Sequence, residues 1–136
     1  FVTKTIDDCE VQVKKFFVEY STGVYSVTHQ NHPCAVWARS SISHYEWLLS
    51  LFVALCSEYT HRYGKVHSTA RLIPILSVPP KNLTVSTWDH PPLAMPEEFK
   101  HEFKPVKSYR LLYNGPKSRF AKWKNRDQPF WYAPSM

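Results

Sequence analysis

Between residues 41 and 62, Tyr45, Leu48, Leu49, Phe52, Val53, Leu55, Cys56 and Tyr59 return every three or four positions. A repeat near 3.6 residues gathers such side chains on one wide face of a helix, so this stretch predicts a long amphipathic helix at the centre of the core. Ser43 and Glu46 have capping-box spacing at its start, with Ser40 and Ser41 as alternative caps. Gly64 suits the left-handed position that closes a helix, and His61 and Arg62 suit its negative end. The apolar part of this segment, Trp47 to Cys56, is too short for a membrane span, which takes about 18–20 apolar residues.

The rest of the chain reads as shorter helices joined by proline-rich loops. Val13, Phe16, Phe17 and Tyr20 predict a helix over 7–20, with Asp7 and Asp8 in its first turn. Residues 24–33 read as loop, the β-branched Val24–Val27 stretch being compatible with a short strand. A helix near 67–77 has Ser68 as its cap and Pro74 as a kink or stop. Residues 78–97 form a Pro-rich loop whose Leu83, Val85, Trp88, Leu93 and Met95 can pin it to the core. Pro105 suits the first helical position of a segment running to Tyr113. Gly115-Pro116 interrupts it, and a helix restarts over 116–124. The expected architecture is all-α: one compact helical domain over residues 1–136, with a long central helix, Pro-rich loops and an aromatic-basic C-terminal tail.

Composition narrows the function. Aromatic residues make up 15% of the 136 residues, which excludes disorder as the main state. Neither GxGxxG nor GxxxxGK[ST] occurs, so the common nucleotide-binding fingerprints are absent. Three unclustered cysteines, Cys9, Cys34 and Cys56, fit a reduced, cytoplasmic protein. No secretory signal and no membrane association are expected. His29, His32 and Cys34 lie close together, but structural zinc takes four ligands and no second pair is suitably spaced, so neither a metal nor a cofactor is expected. Cys56 sits on the apolar stripe and reads as a core thiol.

The net charge is +6, from 17 Lys+Arg against 11 Asp+Glu. The excess is concentrated: Lys100, Lys104, Lys107, Arg110, Lys117, Arg119, Lys122, Lys124 and Arg126 fall within 27 residues that hold Glu102 as their only acid. Tyr109, Tyr113, Phe120, Trp123, Phe130, Trp131 and Tyr132 lie among and just after them. Cations neutralise phosphates and aromatic faces stack on bases, so this pattern points to nucleic acid. Two alternatives stay open: aromatics that face the core beneath a solvated cationic surface, and a tail that anchors another protein. Glu19 is the candidate acid–base residue. It follows the apolar run Phe16-Phe17-Val18 near a helix C-terminus, where burial and the helix dipole both raise a carboxylate's pKa. The alternative is a surface Glu paired with Lys15, four residues earlier.

Four segments carry a resemblance: Asn31-His-Pro-Cys-Ala-Val-Trp-Ala-Arg39, Glu58-Tyr-Thr-His-Arg-Tyr-Gly-Lys-Val-His67, Met95-Pro-Glu-Glu-Phe99 and Lys117-Ser-Arg-Phe-Ala-Lys-Trp-Lys-Asn-Arg126. They resemble small marine-phage proteins that are often described as related to pyrimidine-dimer DNA glycosylase of the endonuclease V type. Glu19 late in a first helix, the long middle helix, the turn Pro96 to Phe99, and Trp131-Tyr132 extend the likeness to the glycosylase itself. The resemblance implies an all-α domain that binds damaged duplex DNA and extrudes a base, a step that is least costly at a distorted site. It implies attack by the N-terminal amine on the sugar C1′ to form an imine, with Glu19 promoting the sugar-ring and elimination chemistry. Because the sequence opens on Phe1, the amine is expected to belong to a start upstream of it. The candidate nucleic-acid contacts are His32, Arg39, Lys117, Arg119, Lys122, Trp123, Lys124, Arg126, Trp131 and Tyr132.

Overall fold

A computed structural model describes residues 24–134. The helix expected over 7–20, its Glu19, and Cys9 lie outside that range. Within it the protein is all-α, with helices α1 (Pro33–Ala38), α2 (Ile42–Tyr63), α3 (Ile73–Leu76) and α4 (Pro105–Asn114). Single 3-10 turns occupy Ser68–Leu72, Glu97–Phe99 and Pro116–Phe120. No strand forms among the described residues, and Val24–Val27 is irregular.

α2 organises the molecule, as its periodicity requires. Its cap is Ser41, whose Oγ accepts the Ser43 amide at 3.2 Å. The spacing of Ser43 and Glu46 is therefore not used as a capping box, because the helix has already begun at Ile42. Ser41 serves a second purpose: its Oγ also accepts the Thr87 amide at 3.0 Å and donates to the Thr87 carbonyl. The Pro-rich loop is thus tied to the helix start through backbone, reinforced by Ile42 N–H donating to the Val85 carbonyl at 2.7 Å. At the other end Gly64 closes the helix at φ 70°, where a side chain is disfavoured, and its amide donates to the Thr60 carbonyl at 2.8 Å.

The short helices start in a way that cap statistics miss. His32 caps α1, its Nδ1 accepting the Cys34 amide at 3.0 Å. His67, rather than Ser68, caps the next turn, with Nδ1 accepting the Thr69 amide at 3.2 Å. Imidazole supplies the same acceptor that Ser or Asp usually does. Pro74 ends neither element: it sits in the first turn of α3, where a missing N–H costs nothing. Pro105 opens α4 as expected. The helix expected over 116–124 is reduced to the Pro116–Phe120 turn, because the backbone leaves the helical conformation at Ala121, which is extended. Gly115 fits closely at the preceding corner: a Cβ there would lie 3.0 Å from the Phe99 ring, which would have to shift by a few tenths of an ångström.

The wide apolar stripe of α2 is only partly used. Tyr45, Leu49, Phe52, Cys56 and Tyr59 are half-buried, and Tyr45 Oη donates to the Leu76 carbonyl at 2.6 Å. Leu48, Leu51 and Leu55, on the adjoining flank, remain exposed, Leu55 at 58%. One open groove of about 380 Å³ runs between Val53, Cys56, Ser57 and Thr60 of α2 and Ala70 and Ile73 opposite. Among the described residues Leu72 and Leu112 are the buried apolar side chains, one beside α2 and one in α4. Among the described residues the packing around α2 is thus partial, and other small packed centres lie along the chain.

The tightest of these centres is polar. His44 is 1% exposed, stacked on Trp37 at 4.2 Å between ring centroids and met edge-on by Trp88 at 5.3 Å. Its Nε2 accepts the Asp89 amide at 2.9 Å, so the proton belongs on Nδ1, which lies 2.8 Å from the Trp37 carbonyl. Trp37 Nε1 donates to the Asp89 carbonyl at 3.1 Å. α1, α2 and the 85–89 loop meet at this one imidazole. Trp88 pins that loop as expected, whereas Val85 acts through its carbonyl and leaves its side chain exposed.

Candidate nucleic-acid interface

The C-terminal third forms a lobe on α4. The turn before α4 is locked by fully buried Ser108, whose Oγ accepts the His101 amide at 2.8 Å and donates to the Lys104 carbonyl at 2.9 Å. Tyr109 Oη donates to the Pro92 carbonyl at 3.0 Å, holding the loop against the helix. Asn114, at the end of α4, fastens the tail: its Nδ2 donates to the Trp131 carbonyl at 3.1 Å and its Oδ1 accepts the Ala133 amide at 2.8 Å. Tyr132 Oη donates to the Ser118 carbonyl at 3.2 Å.

Trp123, Trp131 and Tyr132 are half-buried and packed on one another, Trp123 lying 4.5 Å from Tyr132 and 6.3 Å from Trp131 between centroids. Their rings are largely committed to the lobe itself. Phe103, Phe120 and Phe130 are left outward, 77%, 54% and 90% exposed, with Tyr113 at 40%. Phe120 and Phe130 are flanked by cations. Lys117 Nζ and the Arg119 guanidinium lie 5.5 and 5.3 Å from the Phe120 centroid. Arg110 lies 5.4 Å from Phe130 and 5.5 Å from Trp131. Ring quadrupoles attract cations at such distances, which orients the charges without neutralising them.

Residues 122–126 are clasped to the end of α2. Glu58 accepts from Arg62 Nε at 2.7 Å and from Arg126 through Nη2 at 2.9 Å and Nε at 3.1 Å. Arg62 Nη1 reaches the Lys122 carbonyl at 2.9 Å. Asn125 takes the left-handed conformation at φ 58°, a state asparagine tolerates, and its Nδ2 donates to the Arg62 carbonyl at 3.1 Å. His61 Nε2 donates to the Asn125 carbonyl at 2.8 Å, and Lys124 Nζ lies 5.0 Å over the Tyr63 ring. Of the expected contact residues, Arg126 is thus held by a carboxylate. His32 caps α1, and Arg39 ends it just before α2 begins at Ile42, whereas Arg126 docks on Glu58, about 24 Å further along α2. The fold therefore does not bring Arg39 and Arg126 together.

The two guanidinium groups hold the Glu58 carboxyl down at about 2, from an ordinary 4.5. The carboxylate therefore stabilises the clasp fully above pH 4.5, and this contribution is lost as pH falls through about 2. Acid titration of the native protein, followed by tryptophan fluorescence, should show the 122–126 segment loosening in that window. In Glu58→Gln the clasp is weakened already at neutral pH and this acid step disappears; an identical step in both proteins would assign it to another group.

Seven cations of the region, Lys104, Lys107, Arg110, Lys117, Arg119, Lys122 and Lys124, have no described carboxylate within salt-bridge distance. Sequence reasoning passed over Glu58 and Arg62 as an i,i+4 pair, and gave Arg110 and Phe130 no separate role; the first pair was readable from spacing, the second only from the tail's path. No three His, Cys, Asp or Glu side chains converge among the described residues in a way that would hold a metal ion. Burial raises the Cys34 thiol pKa, which disfavours its thiolate. Among the described residues no helix is long and apolar enough to cross a membrane. No protein-family model matches this chain, and no curated protein or solved structure shows significant similarity to it.

Proposed function

We propose that this protein binds nucleic acid through the C-terminal lobe. The observation that carries the reading is the set of seven cations without a described carboxylate partner, three of which, Arg110, Lys117 and Arg119, flank outward-facing aromatic rings. Like charges crowded on one lobe repel, and phosphate is the partner that turns this repulsion into attraction by releasing condensed counterions. Lys117, Arg119, Lys122 and Lys124 carry the phosphate contacts, with Arg110 added to them. Trp123, Trp131 and Tyr132 support the surface from beneath, and Arg126 shapes it through Glu58.

The resemblance to the pyrimidine-dimer glycosylases extends the proposal to chemistry. DNA with a damaged pyrimidine is the substrate, Glu19 the acid–base residue, and a terminal amine the nucleophile, in a cytoplasmic protein of viral origin. Glu19 lies outside the described residues, so binding and catalysis rest on separate grounds and separate in one experiment. Full-length protein is titrated with labelled duplex DNA, irradiated or undamaged, at two salt concentrations, then treated with borohydride. Binding should weaken steeply with salt, and Lys117→Ala and Arg119→Ala should each lower affinity and reduce the salt slope by about 1. Salt-insensitive binding would sink the nucleic-acid reading. An adduct on irradiated DNA that Glu19→Gln diminishes supports the enzyme; binding without any adduct leaves a non-catalytic module.

A further inference from the structure

Phe130 is the most exposed of the large apolar side chains described, at 90%. A ring so exposed usually sits on a loose tip, but this one does not. Its turn is closed by Tyr132 N–H donating to the Pro129 carbonyl at 3.0 Å, and Gln128 Nε2 donates to the Tyr132 carbonyl at 3.3 Å. Directly after it, Asn114 grips the chain at Trp131 and Ala133. The backbone is fastened on both sides of a side chain that touches little of its own protein, which is how a fold presents a group to something else.

The surroundings specify the something else. Arg110 borders Phe130 at 5.4 Å and has no described carboxylate partner. The same unit recurs at Phe120, with Lys117 and Arg119. Tyr132 Oη ties the two units together through the Ser118 carbonyl. A flat apolar ring beside a cation matches one nucleotide: the ring takes the π-face of a base and the cation takes the neighbouring phosphate. A base inside a duplex already has both faces stacked and cannot use the ring. A protein partner would instead favour Trp or Tyr anchors at the centre of the patch, and here Trp123, Trp131 and Tyr132 are half-buried in the lobe, while the most exposed ring is a phenylalanine.

We infer that Phe130 with Arg110, and Phe120 with Lys117 and Arg119, are stacking platforms for unpaired bases, so that the lobe takes single-stranded DNA in preference to duplex. This deepens the nucleic-acid reading and rests on it. The test is fluorescence anisotropy with a labelled oligothymidine and a duplex of equal length, at the same salt, for the native chain, Phe130→Ala and Phe130→Trp. The native protein binds the single strand more tightly. Phe130→Ala weakens that binding about tenfold, leaves duplex binding within about twofold, and leaves the salt slope unchanged, because no charge is removed. Phe130→Trp retains the single-strand preference. The side chain is so exposed that the alanine variant keeps its fold, which an unchanged urea midpoint verifies. Equal losses on both DNAs, or no loss on the single strand, overturn the platform while leaving nucleic-acid binding in place. Absence of salt-sensitive binding to either DNA removes the nucleic-acid reading itself.

Discussion

Replacing His44 with alanine should cost about 3–4 kcal/mol, the largest single loss expected in this protein. The substitution removes a stacked ring, orphans one backbone amide and takes one of three donors from a carbonyl that Ser40 still serves. The Asp89 amide loses the acceptor it holds at 2.9 Å, and the Trp37 carbonyl loses a donor at 2.8 Å. An orphaned buried donor costs about 1–3 kcal/mol, and an aromatic pair contributes about 0.5–1.5 kcal/mol beyond its buried area. Because α1, α2 and the 85–89 loop all meet at this ring, the loss spreads to three segments. His44→Phe separates the terms. It keeps a ring against Trp37 and still orphans the Asp89 amide, so it should recover only the packing share. Urea denaturation measures both variants, and a red shift of Trp37 and Trp88 fluorescence should accompany the alanine change. A cost below about 1 kcal/mol for His44→Ala would show that the imidazole does not hold these segments together.

Leu112→Ala should cost about 2–4 kcal/mol, the usual range for truncating a well-buried leucine. Leu112 is 6% exposed and lies two residues beyond Arg110, on the helix that also carries Tyr109 and Asn114. Loosening α4 therefore also disturbs the surface proposed for DNA, so binding should fall along with stability. Leu55 provides the contrast. It is 58% exposed, and Leu55→Lys should change stability by less than about 0.5 kcal/mol. The difference is read as the shift in urea midpoint at constant m. Equal costs for the two variants would mean that the leucine flank of α2 is covered in solution.

Much of the helical framework was legible because it depends on local physics. The period of the apolar residues marks α2 to within a residue at each end, and Gly64 closes it for reasons of backbone sterics. Pro105 likewise announces the first turn of α4. The histidine caps were not legible, since His32 and His67 replace the usual Ser or Asp with an imidazole whose position depends on the turn it closes. The helix expected over 116–124 failed for a different reason. Its residues have adequate helical propensity, but the clasp on Glu58 and the aromatic contacts of Trp123 draw the chain out of the helical path.

The candidate site divides in the same way. Clustered charge is a property of composition, so the basic and aromatic character of residues 100–132 could be read directly. Which ring faces water is a property of packing. Trp123, Trp131 and Tyr132 face one another, while Phe120 and Phe130 face outward, and nothing in their spacing distinguishes the two groups. Arg126 and Lys122 look alike in the sequence, yet one is held by a carboxylate 68 positions away and the other is not. The sequence by itself determined the long helix α2 and its ends, the start of α4 and the sign of the lobe's charge, because those follow from neighbours within a few residues. Only the tertiary structure decided which cations are spent on Glu58, which rings are presented, and which flank of α2 is left uncovered, because those depend on contacts between segments distant along the chain.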